Sequence, residues 1–139
     1  MNNLELKATR KALGIPVLDM SEMTGVAKWT WERWEAGKLK IPSDVVLMMN
    51  FLTSQYRKIH YSLQCIATAN VGIDEMPYFD GLDGFEDFKN IVCDNVVLWR
   101  MYQAVVSTMM ARGWVSSLND DAKMPENLRL TLVEINERA

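Results

Sequence analysis

Residues 28–40 read KWTWERWEAGKLK: three tryptophans interleaved with cations in one short helix and its exit. On a helix, residues three and four apart share a side. Trp31 and Trp34 then turn toward a core with Val26 and with Met20 and Met23 of the preceding segment, which leaves Lys28, Trp29, Glu32 and Arg33 outside. That outer face suits contact with nucleic-acid base edges. A helix fits the major groove, where Lys or Arg can donate to guanine O6 and N7 and an aromatic edge can meet a thymine methyl. Lys38 and Lys40 follow in a basic connector that ends at Pro42. Two plainer readings stand beside this one. Lys28 and Glu32 are spaced to pair on a solvated face, and Trp29 can serve a core or dimer contact instead.

Other reactive residue types are sparse. His60 is the only histidine and has no Cys or carboxylate at ligand spacing, so zinc is not expected. Cys65, five residues further along the same helix, does not face it as a nucleophile faces its base. Cys65 and Cys93 form no C-x-x-C and are expected to be reduced, buried thiols. The acidic stretch Asp74, Glu75, Asp80, Asp83, Glu86 and Asp87 lacks the alternation and bidentate Glu of a calcium loop, and reads as a solvated surface. There is no Gly-rich phosphate loop. No catalytic residue, metal or cofactor is expected, and a small enzyme ranks last among the function classes.

The elements that must position the 28–40 segment are helices. Asn2 with Glu5 predicts a capping box opening a helix over 2–14, with Leu6 and Leu13 on one side. A second short helix covers 16–24, with Leu18 offset from Met20 and Met23. Gly25 turns the chain into a third helix, Ala27 to Glu35, and Gly37 ends it. Three short helices with a glycine turn between the second and third spell a helix-turn-helix. Ser43 caps a longer helix whose apolar positions Val45, Met49, Leu52, Tyr56, Ile59, Leu63 and Ile66 form a heptad seam ending near Asn70. That seam packs either within its own subunit or on a partner helix. Beyond it, Pro77–Phe79 reads as a short strand, Phe85 and Phe88 as a short helix, and Val96–Arg112 as a helix with a broad apolar arc closed by Gly113. Trp114–Leu118 reads as a strand, and the tail through Leu128, Leu130 and Leu132 as another.

The 139 residues are 49% apolar and 24% charged, enough for one domain or two small ones without disulfides. Net charge is −3, which excludes a uniformly basic protein. Residues 1–60 hold 9 Lys+Arg against 6 Asp+Glu, and residues 61–139 hold 6 against 12, so only the front suits a polyanion. The start lacks the basic and apolar regions of a signal peptide, and no apolar run approaches the ~20 residues of a membrane span. A cytoplasmic, non-membrane protein is expected.

The front third resembles the phage repressor and Cro type of helix-turn-helix. The match runs through Leu6-Lys7-Ala8-Thr9-Arg10-Lys11-Ala12-Leu13-Gly14, Gly25-Val26, Arg33-Trp34-Glu35-Ala36-Gly37-Lys38 and Pro42, with the R-W-E-x-G ending twelve residues after the turn glycine. The rest resembles a narrower group, the YdiL-like bacterial proteins and anti-CRISPR-associated autoregulators. It does so through Tyr78-Phe79, Phe85 to Phe88 and Asn95 to Val106, above all the W-R-x-x-Q-[SA]-V element at Trp99 to Val105.

That resemblance implies a sequence-specific, homodimeric transcriptional regulator, a repressor in the first instance. It also implies roles. Lys28 and Trp29 fall at the first recognition-helix positions and point at base edges, with Arg33 one turn later. Thr30 bonds a phosphate, and Lys38 and Lys40 track the backbone from the loop, with Lys7 and Lys11 as further phosphate partners. Arg10 and Glu35 match positions that pair with each other. The chain departs from the pattern at Pro16, Val17 and Ala27, where a capping Ser or Thr, a bracing Gln and a second Ser or Thr usually stand. Each lost cap costs ~1 kcal/mol locally.

The fold class expected is mainly α: an N-terminal helix-turn-helix bundle with a long connecting helix over 1–70 and a small α+β dimerisation domain over 71–139. The partners expected are double-stranded DNA and a second copy. The alternative is an antitoxin-like or bridging module that uses the helix-turn-helix for protein contacts.

Overall fold

A computed structural model describes the backbone of residues 1–89 and 95–138, and their side chains except at 86–89 and 138. Cys93 and the side chains of Glu86, Asp87 and Phe88 therefore lie outside the described residues. The chain forms two compact units, Met1–Ser54 and Gln55–Ala139. They divide inside the long helix rather than at its end near Asn70. The architecture is mainly α with one small α+β part, as expected.

The first unit holds α1 (Asn3–Ala12), α2 (Val17–Thr24), α3 (Lys28–Glu35) and the first half of α4 (Ser43–Ala69). The capping box forms: Asn2 Oδ1 accepts the Glu5 N–H at 2.8 Å, and Glu5 Oε1 accepts the Asn2 N–H at 2.9 Å. Both α1 and α2 pack on α3. Leu6, Leu13, Ile15, Met20, Trp31 and Trp34 form the core, joined by Val45, Met49 and Leu52 of α4. Met23 does not belong to it. The short α2 turns its Asp19–Met20 side inward, and Met23, on the last turn before Gly25, is 40% exposed. Ser43 stands inside the first turn of α4, where the Pro42 carbonyl accepts the Val45 and Val46 N–H groups.

The second unit contains the rest of α4, β1 (Ile73–Met76), α5 (Leu82–Lys89), α6 (Val96–Ala111), β2 (Val115–Leu118) and α7 (Glu126–Arg138). The strands pair in parallel, Ile73 opposite Val115 and Met76 opposite Leu118, with α5 and α6 in the crossover. The α6 helix is the hub. Val97, Leu98, Trp99, Met101, Tyr102, Val105, Val106 and Met109 are all buried. Ile59 and Leu63 are buried too, so the α4 seam is covered within its own chain along most of its length.

Three further expectations are corrected. The first strand is not Pro77–Phe79 but the four residues before it, because a proline has no N–H to give to a ladder. The tail is a helix, not a strand. Leu128, Leu132 and Ile135, four and three apart, are buried, while Leu130, which supplied the alternation, is 51% exposed. Cys65 is an exposed free thiol rather than a buried one.

Val71 enters the turn into β1 at φ 54°, a left-handed conformation that a β-branched residue adopts only under strain. It is 97% exposed and packs on almost nothing. Val71→Asn should therefore raise stability by about 1 kcal/mol, read as a shifted urea midpoint with unchanged slope. An unchanged or lower midpoint refutes the strain.

Candidate nucleic-acid interface

The outer face of α3 is set by the turn before it. Gly25 takes φ 72°, and its N–H reaches the Ser21 carbonyl at 2.9 Å. A side chain there would find open space, so the backbone angle rather than crowding calls for glycine. Two hydroxyls lock the bend. Ser21 Oγ donates to the Val26 carbonyl, and Thr24 Oγ1 donates to the Met20 carbonyl at 2.7 Å while accepting the Val26 N–H at 3.3 Å. Sequence reasoning passed over Ser21 and Thr24, although a Ser or Thr just before a turn glycine is a local hydrogen-bonding signal. Neither Pro16 nor Ala27 supplies a side-chain cap, as their types require.

The other end of α3 is held by a buried ion pair. Arg10 Nε and Nη2 donate to the two Glu35 carboxylate oxygens at 2.6 and 3.0 Å, and Arg10 Nη1 donates to the Ile15 carbonyl at 3.0 Å. Trp31 Nε1 donates to the same carboxylate, and Trp31 and Trp34 meet edge to face at 5.4 Å. Burial pushes the Glu35 carboxyl up. The hydrogen bonds from Arg10 and Trp31, with the charges of Arg10 and Lys7, outweigh burial and hold it below its ordinary value. In the R-W-E-x-G ending, then, Trp34 and Glu35 fix the helix in the core and Arg33 is left outside.

That outer surface has two i, i+4 pairs. Lys28 Nζ lies 3.9 Å from Glu32 Oε1, both side chains more than half exposed, a pairing worth little in water. The Arg33 guanidinium sits 5.0 Å from the ring centre of Trp29, which is 59% exposed and so is not core. A cation stacked on an indole keeps its N–H edge directed outward while its swing is limited. Thr30 is half-buried, and Lys38 and Lys40 are exposed on the connector, as are Lys7 and Lys11 on α1. Lys28, Trp29 and Arg33 thus share one face.

The C-terminal signature is structural. Trp99 Nε1 and Gln103 Nε2, one turn apart on α6, both donate to the Phe79 carbonyl, at 3.0 and 2.9 Å. Tyr102 donates to the Pro77 carbonyl, and burial alone drives its hydroxyl far above its ordinary value. These bonds pin the strand-less segment after β1 onto α6, which is what the W-R-x-x-Q spacing accomplishes. His60 is half-buried. Burial, then the Arg112 charge, holds it below its usual value, so it stays neutral at pH 7.

The sequence profile of the Aca2/YdiL-like family matches residues 1–118, which takes in both signatures. The chain belongs to the Aca2/YdiL-like family. It is similar to the Aca2 repressor of Pectobacterium phage ZF40, 29% identical over 117 residues that cover 81% of this chain and 96% of the relative. It is also similar to the uncharacterized protein YdiL of Escherichia coli strain K12, 27% identical over 114 residues covering 80% and 94%. In this Aca2/YdiL-like chain the matched span stops at Leu118, before α7. Among the described residues no helix is long and apolar enough to cross a membrane.

Proposed function

We propose that this protein is a sequence-specific DNA-binding transcriptional regulator, a repressor that works in the cytoplasm as a homodimer on a palindromic operator. The observation that carries the reading is the outer face of α3, where Lys28, Trp29 and Arg33 stand exposed while Trp31, Trp34 and Glu35 anchor the opposite side. A rigidly held helix with cations outside can enter the major groove and read base edges. The similarity to a phage repressor supports the same reading. Lys28 and Arg33 serve guanine, the Trp29 edge serves a thymine methyl, and Thr30, Lys38 and Lys40 serve phosphates. A face this cationic is a poor apolar dock, which disfavours the antitoxin-like alternative. The role is binding, without catalysis. Two copies place their α3 helices in successive major grooves, ~34 Å apart or a multiple of it.

The test is a competition titration on an inverted repeat just upstream of the protein's own reading frame. Preference for the repeat over a scrambled duplex is expected, and equal affinity for the two sinks the proposal. In the same titration, Lys38→Ala or Lys40→Ala should weaken binding to every sequence alike and lower the salt slope by about one for each phosphate no longer neutralised. Loss of preference with an unchanged slope would instead make these lysines base readers.

A further inference from the structure

The outer face of α3 carries an acid among its cations. Lys28 with Glu32 and Trp29 with Arg33 run along it as two neighbouring rows, each one turn of helix long. In the second row the Arg33 guanidinium lies over the Trp29 ring, so its charge is engaged with the indole. In the first row the Glu32 carboxylate has Lys28 as its one partner among the described residues, at 3.9 Å, with both heads more than half exposed. That distance is longer than a hydrogen bond, and such a pair parts at small cost in water. Its order, lysine before glutamate, is also the weaker of the two on a helix. Glu32 stands in the second half of α3, where a helix end favours cations over anions. Nothing in the fold therefore calls for a carboxylate at this position.

On a helix lodged in the major groove, that carboxylate lies among phosphates and base edges. Its charge costs affinity there unless a base donates to it. Guanine presents N7 and O6 and thymine presents O4, all acceptors that repel it. Adenine sets the N7 acceptor beside its N6 donor, whereas cytosine presents the N4 donor alone. We infer that Glu32 is a specificity-determining residue that accepts the N4 amino group of a cytosine, one base step from the guanine served by Lys28. The 3.9 Å between the two heads is close to the ~3.4 Å step between successive bases. Lysine and glutamate side by side thus form a donor and an acceptor matched to a guanine and a cytosine in succession. The inference rests on the DNA-reading α3 of the proposed function. It adds a readout of opposite sign, one that selects as much by repelling wrong bases as by holding the right one.

A competition titration of the full chain against operators changed one base pair at a time tests this, with Lys28→Ala, Glu32→Ala and Glu32→Gln beside the wild type. In the wild type, replacing the cytosine by another base, or by a pyrimidinone that lacks only the 4-amino group, should weaken binding about tenfold or more. Glu32→Ala should be indifferent at that position to within about twofold, while it keeps the preference for the neighbouring guanine. It should also bind scrambled DNA about twofold or more tightly than the wild type does, and more so at low salt, because a negative charge has left the phosphate field. Glu32→Gln should move the preferred base from cytosine to adenine, whose N6 and N7 a carboxamide pairs with together. Glu32→Ala that weakens cognate and scrambled binding alike makes the residue structural and overturns the inference. So does a base preference unchanged at every position, or one lost at the same position in Lys28→Ala and Glu32→Ala, which would make Glu32 a prop for the lysine. A wild type that binds the inverted repeat and scrambled DNA equally overturns the proposed function itself, and this inference with it.

Discussion

Glu35→Ala should destabilise the N-terminal unit by about 3–5 kcal/mol, a large part of what a unit of this size has in hand. The carboxylate accepts from Arg10 through both oxygens and from the Trp31 indole, and all three side chains are buried. Removing it leaves a guanidinium with only the Ile15 carbonyl and an indole N–H with no acceptor, both out of reach of water. That stranded polarity, more than the lost attraction, sets the size of the effect. The companion Arg10→Met, Glu35→Leu removes both charges together and should recover most of the loss. Urea unfolding measures both. A loss under about 1 kcal/mol for Glu35→Ala would mean that water reaches the pair. The effect also depends on pH. Glu35 has a lower pKa folded than unfolded, so its contribution is fully present above the ordinary carboxylate range and is lost as pH falls through the folded value. The gap between wild type and Glu35→Ala should therefore narrow in acid and stay constant around neutrality.

Arg33→Ala is expected to weaken binding to the cognate operator by roughly 1–3 kcal/mol and to relax preference at one base position, if its guanidinium makes a bidentate contact to guanine. Its stack on Trp29 gives a second handle. Trp29→Ala frees the guanidinium to swing, so it should lose part of the same discrimination as well as the proposed thymine contact. The stack is exposed and worth only about 0.5–1 kcal/mol, so neither variant should shift the unfolding midpoint much. A competition titration against operators mutated one base pair at a time, run beside thermal unfolding, separates the outcomes. A lowered melting temperature with unchanged base preference would make Arg33 a structural partner and remove it from the readers.

What was legible in the sequence follows from how local each signal is. The Asn2–Glu5 capping box, the bend at Gly25 and the burial of Trp31 and Trp34 depend on residues within one or two turns, and all are in place. The Arg10–Glu35 pair spans 25 residues and was reached through resemblance, not spacing. The strand ahead of Pro77 was missed because Ile73–Met76 is half acidic and short, and its pairing is decided 42 positions away at Val115–Leu118. In the tail, Leu128, Leu130 and Leu132 fit a two-residue period, and only Ile135 adds the helical step that makes 128, 132 and 135 one face. Cys65 reads as buried by type. Its exposure follows from facing away from the seam residues Ile59 and Leu63, which a composition argument does not see. Of the interface, the exposed cations follow from periodicity, whereas the Ser21 and Thr24 bonds that aim the helix follow from a different local signal, a Ser or Thr just before a turn glycine.

The parallel pairing of β1 with β2 bears on the order in which the chain acquires its structure. Ile73 can find Val115 only after the whole crossover through α5 and α6 has been synthesised and folded back, and the entropy of closing so long a loop must be met before the ladder returns anything. The contacts of the first unit are nearer in sequence, and its last residue, Ser54, is synthesised well before β2. The α3 helix is therefore set early on a nascent chain, while the strands wait for most of the polypeptide. An unpaired β1 edge is presented during that interval, and Asp74 and Glu75 at its centre place charge on it, which disfavours pairing with another copy.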